Sequence, residues 1–180
     1  MLNILSYKIG TGLKRYLEAQ TFSLAGYNYF TEDTYKDRLY RIYNEVEKAE
    51  HEDGKATTDN CHITNSILLE NFRVFPVADT LPHQAIADTH LDGYLIKKNS
   101  GIQGSLTGIM NNPKYFKDPE KFIPDRFVKN GKFEKDIRVC PFSLGLRNCI
   151  GKQLARSEYF KFTIEVVILS NIKIRTTFSR

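Results

Sequence analysis

The chain has 180 residues, 41% of them hydrophobic, and its 26 Lys and Arg against 21 Asp and Glu give a net charge of +5, an ordinary balance for one domain with a core. No apolar run approaches the ~18–20 residues of a membrane-spanning helix, and Met1-Leu2-Asn3-Ile4-Leu5 is too short for a signal peptide. Three widely spaced cysteines with no C-x-x-C indicate neither a disulfide framework nor a zinc site, and no basic run is interleaved with aromatics in the way nucleic-acid binding requires.

In chain order, Tyr35 to Glu50 predicts a charged amphipathic helix, with Leu39, Ile42, Tyr43 and Val46 at 3–4 spacing. Residues 50–60, rich in Asp, Thr, Lys and His, read as a polar linker. Ile63 to Arg73 reads as a second helix, apolar at Ile63, Ile67, Leu68 and Phe72. Glu70 and Arg73 stand three apart on one face and can pair. Taken alone, such a pair is a solvated surface contact worth roughly 0–1 kcal/mol. His83 follows Leu81-Pro82, and a lone histidine there reads as a surface residue. Asp88 to Ile96 predicts strand, turn and strand about Asp92-Gly93. An irregular stretch from Asn111 then ends in Pro124-Asp125-Arg126-Phe127.

The most specific segment is Phe142-Ser143-Leu144-Gly145-Leu146-Arg147-Asn148-Cys149-Ile150-Gly151. Gly145 can take the positive φ of a sharp turn, and Gly151 lets backbone approach a flat ligand. Cys149 is delivered to the start of a helix, where unpaired N–H groups and the dipole favour a thiolate. Arg147 adds a positive charge, and Phe142 would shield the sulfur from water. The pattern looks like a thiolate presented to a metal. A nucleophilic cysteine in a phosphate-binding loop is the competing reading. It fails because six residues separate Cys149 from Arg156, one more than such loops allow, and no histidine precedes the cysteine. Cys61 and Cys140 read as structural.

Beyond the loop, Ala155, Tyr159, Phe162, Val166 and Leu169 mark one apolar stripe, and Phe160, Ile164 and Val167 mark another. A helix apolar on two sides expects partners on both. Ile172 to Thr176 alternates with period two and reads as a strand.

Phe142, Gly145, Arg147, Cys149 and Gly151 fill every fixed position of F-x-x-G-x-R-x-C-x-G, which resembles the haem-binding loop of the cytochrome P450 superfamily. Glu70-x-x-Arg73 and the stretch ending in Arg126 are similar to two further motifs of that family, in the same order. The resemblance implies a mainly α fold with small β-sheets (α+β), the C-terminal part of the cytochrome P450 fold, with the haem loop followed by a long buried helix. It implies haem b with Cys149 as axial thiolate, Arg147 and His83 toward the haem propionates, and Phe142 over the sulfur. It also implies a buried triad of Glu70, Arg73 and Arg126. Leu24 to Tyr29 resembles the family's oxygen-activating helix, with Asn28 and Tyr29 where an acid and a threonine are usual.

The family's chains are well over twice this length, so the expected organisation is a poorly matched region at 1–60 and a haem-binding region at 61–180. The implied activity is insertion of one atom of dioxygen into an apolar organic substrate, with electrons from a reductase or ferredoxin-type protein. A basic rim of Lys129, Lys132, Lys135, Arg138, Lys152 and Arg156 suits docking of an acidic electron donor and reads equally well as a solvated face. The alternatives are a non-catalytic remnant and a haem-binding module that keeps the cysteine loop. Cysteine usage fits an intracellular, reducing compartment, and the resemblance implies the endoplasmic reticulum membrane for a full-length member, through sequence absent here.

Overall fold

The computed structural model describes residues 32–177. Four α-helices and three two-stranded antiparallel sheets are found among them, matching the expected helical fold with small sheets. The described residues divide into two compact units, one comprising 32–68, 124–134 and 153–177, the other 69–123 and 135–152.

In the first unit, helix α1 runs Glu32–Asp53. Ile42, Val46 and Ala49 are buried at 3–4 spacing while Asn44, Glu47 and Lys48 face water, the one-sided pattern the sequence carries. Gly54 ends it at φ +76°, its N–H donating to the Glu50 carbonyl at 3.1 Å, a left-handed cap for which glycine has no Cβ penalty. The predicted linker is thus shorter than 50–60. The turn between this cap and the next helix is tied down by Asn60, which accepts from the Thr57 N–H (2.7 Å) and donates to Asp53 (2.9 Å) and the Lys55 carbonyl (3.0 Å).

Helix α2, His62–Val74, starts beneath a long-range cap. The Glu45 carboxylate accepts from the N–H groups of Ile63 and Thr64, both at 2.7 Å, and from the Thr64 hydroxyl at 2.8 Å. Helix N-termini leave such donors without partners, and an anion there also meets the dipole. Arg41 on α1 forks onto Asp125 of the 3-10 turn Pro124–Phe127, at 2.5 Å and 3.3 Å. Two short strands beyond that turn, Val128–Lys129 and Lys132–Phe133, pair across Asn130 and Gly131, both with positive φ.

Helix α4 spans Lys152–Thr177. Phe160, Ile164, Val166 and Val167 are buried, whereas Leu154 and Phe162 are exposed. The strand predicted at Ile172 to Thr176 is instead the last part of this helix. Five alternating residues are a weak signal, and extending an existing helix by one bond per residue carries no new nucleation cost. Leu24 to Tyr29 lies outside the described residues.

In the second unit, β1 (Thr80–Gln84) pairs with β4 (Gly101–Ser105), placing His83 opposite Ile102. Between them, β2 (Thr89–Leu91) and β3 (Tyr94–Ile96) form the expected hairpin, with Leu91 opposite Tyr94. Asp92 and Gly93 take φ values of 50° and 81°, the two left-handed positions of the turn that matches strand twist. Helix α3, Leu106–Met110, is capped by the Ser105 hydroxyl, which accepts from the Gly108 N–H.

Candidate functional site

The second unit is organised around a fully buried ion pair. Arg73 donates through Nε to Glu70 Oε2 at 2.8 Å and through Nη2 to Oε1 at 2.9 Å, and both side chains are 0% exposed. Two charges removed from water need every remaining polar site filled. Here Arg73 also donates to the carbonyls of Met110 (2.9 Å) and Lys121 (3.0 Å) and to Asn111 Oδ1 (3.2 Å), and Glu70 accepts from the Ile123 N–H at 2.8 Å. One helix face therefore holds both ends of the irregular stretch from Met110 to Ile123. Taken alone the pair reads as a solvated contact; in the structure both side chains are buried. Sequence gives no sign of these acceptors, which are mostly main-chain groups far along the chain. Arg126 stands in the 3-10 turn Pro124–Phe127, which belongs to the first unit.

The cysteine loop closes on itself through main-chain bonds. The Ser143 N–H donates to the Cys140 carbonyl at 3.0 Å, and the Cys149 N–H donates back to the Phe142 carbonyl at 2.9 Å. Inside this closure, Ser143 and Gly145 take φ values of 65° and 77°, and Gly145–Arg147 forms a 3-10 turn. Gly145 thus occupies a left-handed position that disfavours a side chain. Phe142 meets Phe72 of α2 edge-to-face, with centroids 5.4 Å apart. Lys152, the first residue of α4, donates to the Cys149 carbonyl at 3.3 Å, so the cysteine immediately precedes the helix.

Cys149 is exposed, as are Arg147 and the apolar Leu144, Leu146 and Ile150. A Cβ added to Gly151 would meet only the Cys149 sulfur, at 3.9 Å, so the chain leaves open space beside the thiol. His83 is exposed on β1. Among the described residues no group of three or more His, Cys, Asp and Glu side chains is placed to hold a metal ion. The donor set at the loop is one thiol bordered by apolar side chains, which fits a metal whose other positions a flat macrocycle fills.

The predicted basic rim is partly neutralised. Arg138 forks onto Asp136, with Nη2 at 2.6 Å from Oδ2, and Lys129 pairs with Glu134. Burial pulls the Arg156 guanidinium below its usual value. No helix among the described residues is long and apolar enough to cross a membrane.

The family description Cytochrome P450 matches residues 34–175, a span that takes in α1 as well as the loop. Cytochrome P450 2J3 of Rattus norvegicus is 35% identical over 113 residues, 62% of this chain and 22% of the relative. Farnesoate epoxidase of Bombyx mori is 39% identical over 113 residues, again 62% of this chain and 23% of the relative. Cytochrome P450 2C54 of Mus musculus is 36% identical over 135 residues, 71% of this chain and 28% of the relative. The chain thus spans less than a third of the length of these relatives.

Proposed function

The chain belongs to the cytochrome P450 family, and on that premise we propose that it carries the sulfur side of a haem monooxygenase site, with Cys149 as the axial ligand of haem b. One observation supports this reading above others. Cys149 is an exposed thiol on a loop locked by its own N–H to the Phe142 carbonyl, among exposed Leu144, Leu146 and Ile150. Such a surface suits the apolar face of a macrocycle better than a hydrated ion. Gly145 supplies the turn, and Gly151 keeps the backbone beside the sulfur free of a side chain.

Arg147 and His83 would bind the propionates by charge-assisted hydrogen bonds, fixing the orientation of the group. Phe142, braced edge-on by Phe72, would keep water from the sulfur. Glu70 and Arg73, with Arg126 as the proposed third member, would hold the surrounding chain rigid. When bound, haem supplies the redox chemistry: with electrons from a reductase or ferredoxin-type donor, one atom of dioxygen enters an apolar organic substrate and the other leaves as water.

The test is spectroscopic. Supplied with haem, reduced and exposed to carbon monoxide, the chain should give the Soret shift of a thiolate-ligated haem, and Cys149→Ala should abolish it. No shift, or an identical spectrum in the variant, rejects the assignment. Oxygen consumption with a reductase then separates an oxygenase from a module that only binds haem.

A further inference from the structure

Phe116 is buried and has two guanidinium groups against its ring, Arg73 at 5.3 Å from the centroid and Arg138 at 5.4 Å. Arg138 lies equally close, at 5.4 Å, to the neighbouring Tyr115 ring. Rings attract cations through their quadrupole, but two bare positive charges near one ring would repel each other. Each is already matched by its own carboxylate, Arg73 by Glu70 and Arg138 by Asp136. The ring therefore joins two neutralised pairs.

The two pairs lie on different stretches of chain. Arg73 belongs to α2 and the buried network. Arg138 belongs to the segment that enters the cysteine loop, and it is held stiffly. Its Nε lies 2.8 Å and 3.1 Å from the two Asp136 carboxylate oxygens, and its own N–H donates to Asp136 Oδ1 at 2.9 Å. Val139 is buried, and its N–H closes the turn onto the Asp136 carbonyl at 3.1 Å. Directly after it come the Cys140 carbonyl that accepts from Ser143 and the Phe142 carbonyl that accepts from Cys149.

We propose, resting on the haem-thiolate reading, that Arg138 is a positioning residue for Cys149: stacked on Tyr115 and Phe116, it fixes the entry to the loop against the buried Glu70–Arg73 pair and so sets where the sulfur stands. The general framework of the loop is local; the Phe72–Phe142 contact holds its start, and this stack holds the segment that leads into it. Without that anchor the loop should open more often, and its two main-chain bonds, from Ser143 to Cys140 and from Cys149 to Phe142, should break with each opening.

Two variants of the full chain test this. Arg138→Met removes the charged fork and keeps the stem, and Phe116→Leu removes the ring while keeping a buried apolar side chain. Without haem, amide hydrogen exchange at Ser143 and Cys149 should become about tenfold faster in both, with the Thr64 amide under Glu45 unchanged. With haem, reduced and under carbon monoxide, both variants should show a smaller thiolate-type fraction at equal haem content. Unchanged exchange at the two loop amides overturns the proposal, and so does an acceleration shared by Thr64, which would mean general destabilisation. Loosened amides with an undiminished thiolate fraction overturn it too. If the unsubstituted chain gives no thiolate band, the haem reading falls, and the exchange result still decides whether the stack anchors the loop.

Discussion

Cys61 is fully buried where the chain enters α2, its N–H bonded to the Thr57 carbonyl, and burial first and the Glu45 carboxylate second push its thiol up from 9.0 to about 11. The unfolded chain releases this proton at lower pH than the folded one. The stability contributed by the neutral thiol is therefore complete below pH 9 and is lost as pH rises from 9 toward 11. Denaturant midpoints across that window should fall more steeply for the natural chain than for Cys61→Ala, although the variant is less stable throughout. The same burial should protect Cys61 from iodoacetamide at pH 8, whereas the exposed Cys149 is alkylated, a contrast readable by mass spectrometry. For the buried pair, Arg73→Met would leave the Glu70 carboxylate without its counter-ion. A loss of about 3–5 kcal/mol is expected in equilibrium unfolding. A loss below about 1 kcal/mol would be that of a solvated pair and would contradict the burial described.

At the level of elements, α2 depends on a cap supplied from α1. Ile63 and Thr64 donate to different oxygens of Glu45, so Glu45→Gln keeps only one of the two acceptors and also removes the charge facing the helix dipole; a cost of about 1–2 kcal/mol is expected, together with faster exchange at the Thr64 amide. An unchanged Thr64 amide would show that this cap contributes nothing to the start of α2. This cap was not legible in the sequence, because Glu45 and its donors are joined only by tertiary folding. The helices themselves were legible, since Ile42 and Val46 in α1 and Ile67 and Leu68 in α2 repeat with the helical period. Asp92-Gly93 announced its hairpin because few other residues tolerate two left-handed positions in succession. Asn130-Gly131 carries the same turn chemistry, but its strands are two residues long and show no alternation to support it. Ile172 to Thr176 misled in the opposite direction, a short alternation outweighed by the helix running into it. In the candidate site, the cysteine loop was legible because its glycines, arginine and thiol lie within ten residues. The acceptors of Arg73 and the rings beneath Arg138 were not, because carbonyls and stacking partners leave no local pattern.

For the molecule as a whole, the relevant quantity is the apolar surface left in water by the cysteine loop. Leu146 is 103% exposed and Ile150 104%, with Leu144 also exposed, all within the segment that carries Cys149. Soluble monomers scatter single apolar residues over their surfaces, but several within one short loop mark a binding surface. The net charge of +5 opposes self-association at low ionic strength, and salt screens that repulsion over about 10 Å at 0.1 M. Without haem, the chain should therefore bind a dye that fluoresces on apolar surfaces, and it should associate increasingly as salt is raised. Leu146→Asp should weaken both effects, and because the side chain is fully exposed its substitution should leave the unfolding midpoint within about 0.5 kcal/mol. Haem, if it covers this loop, should displace the dye with the same stoichiometry at which the thiolate band develops. Dye that remains bound while the band reaches completion would place the apolar surface elsewhere, and the loop would then bind haem through its sulfur without the apolar contact argued for it.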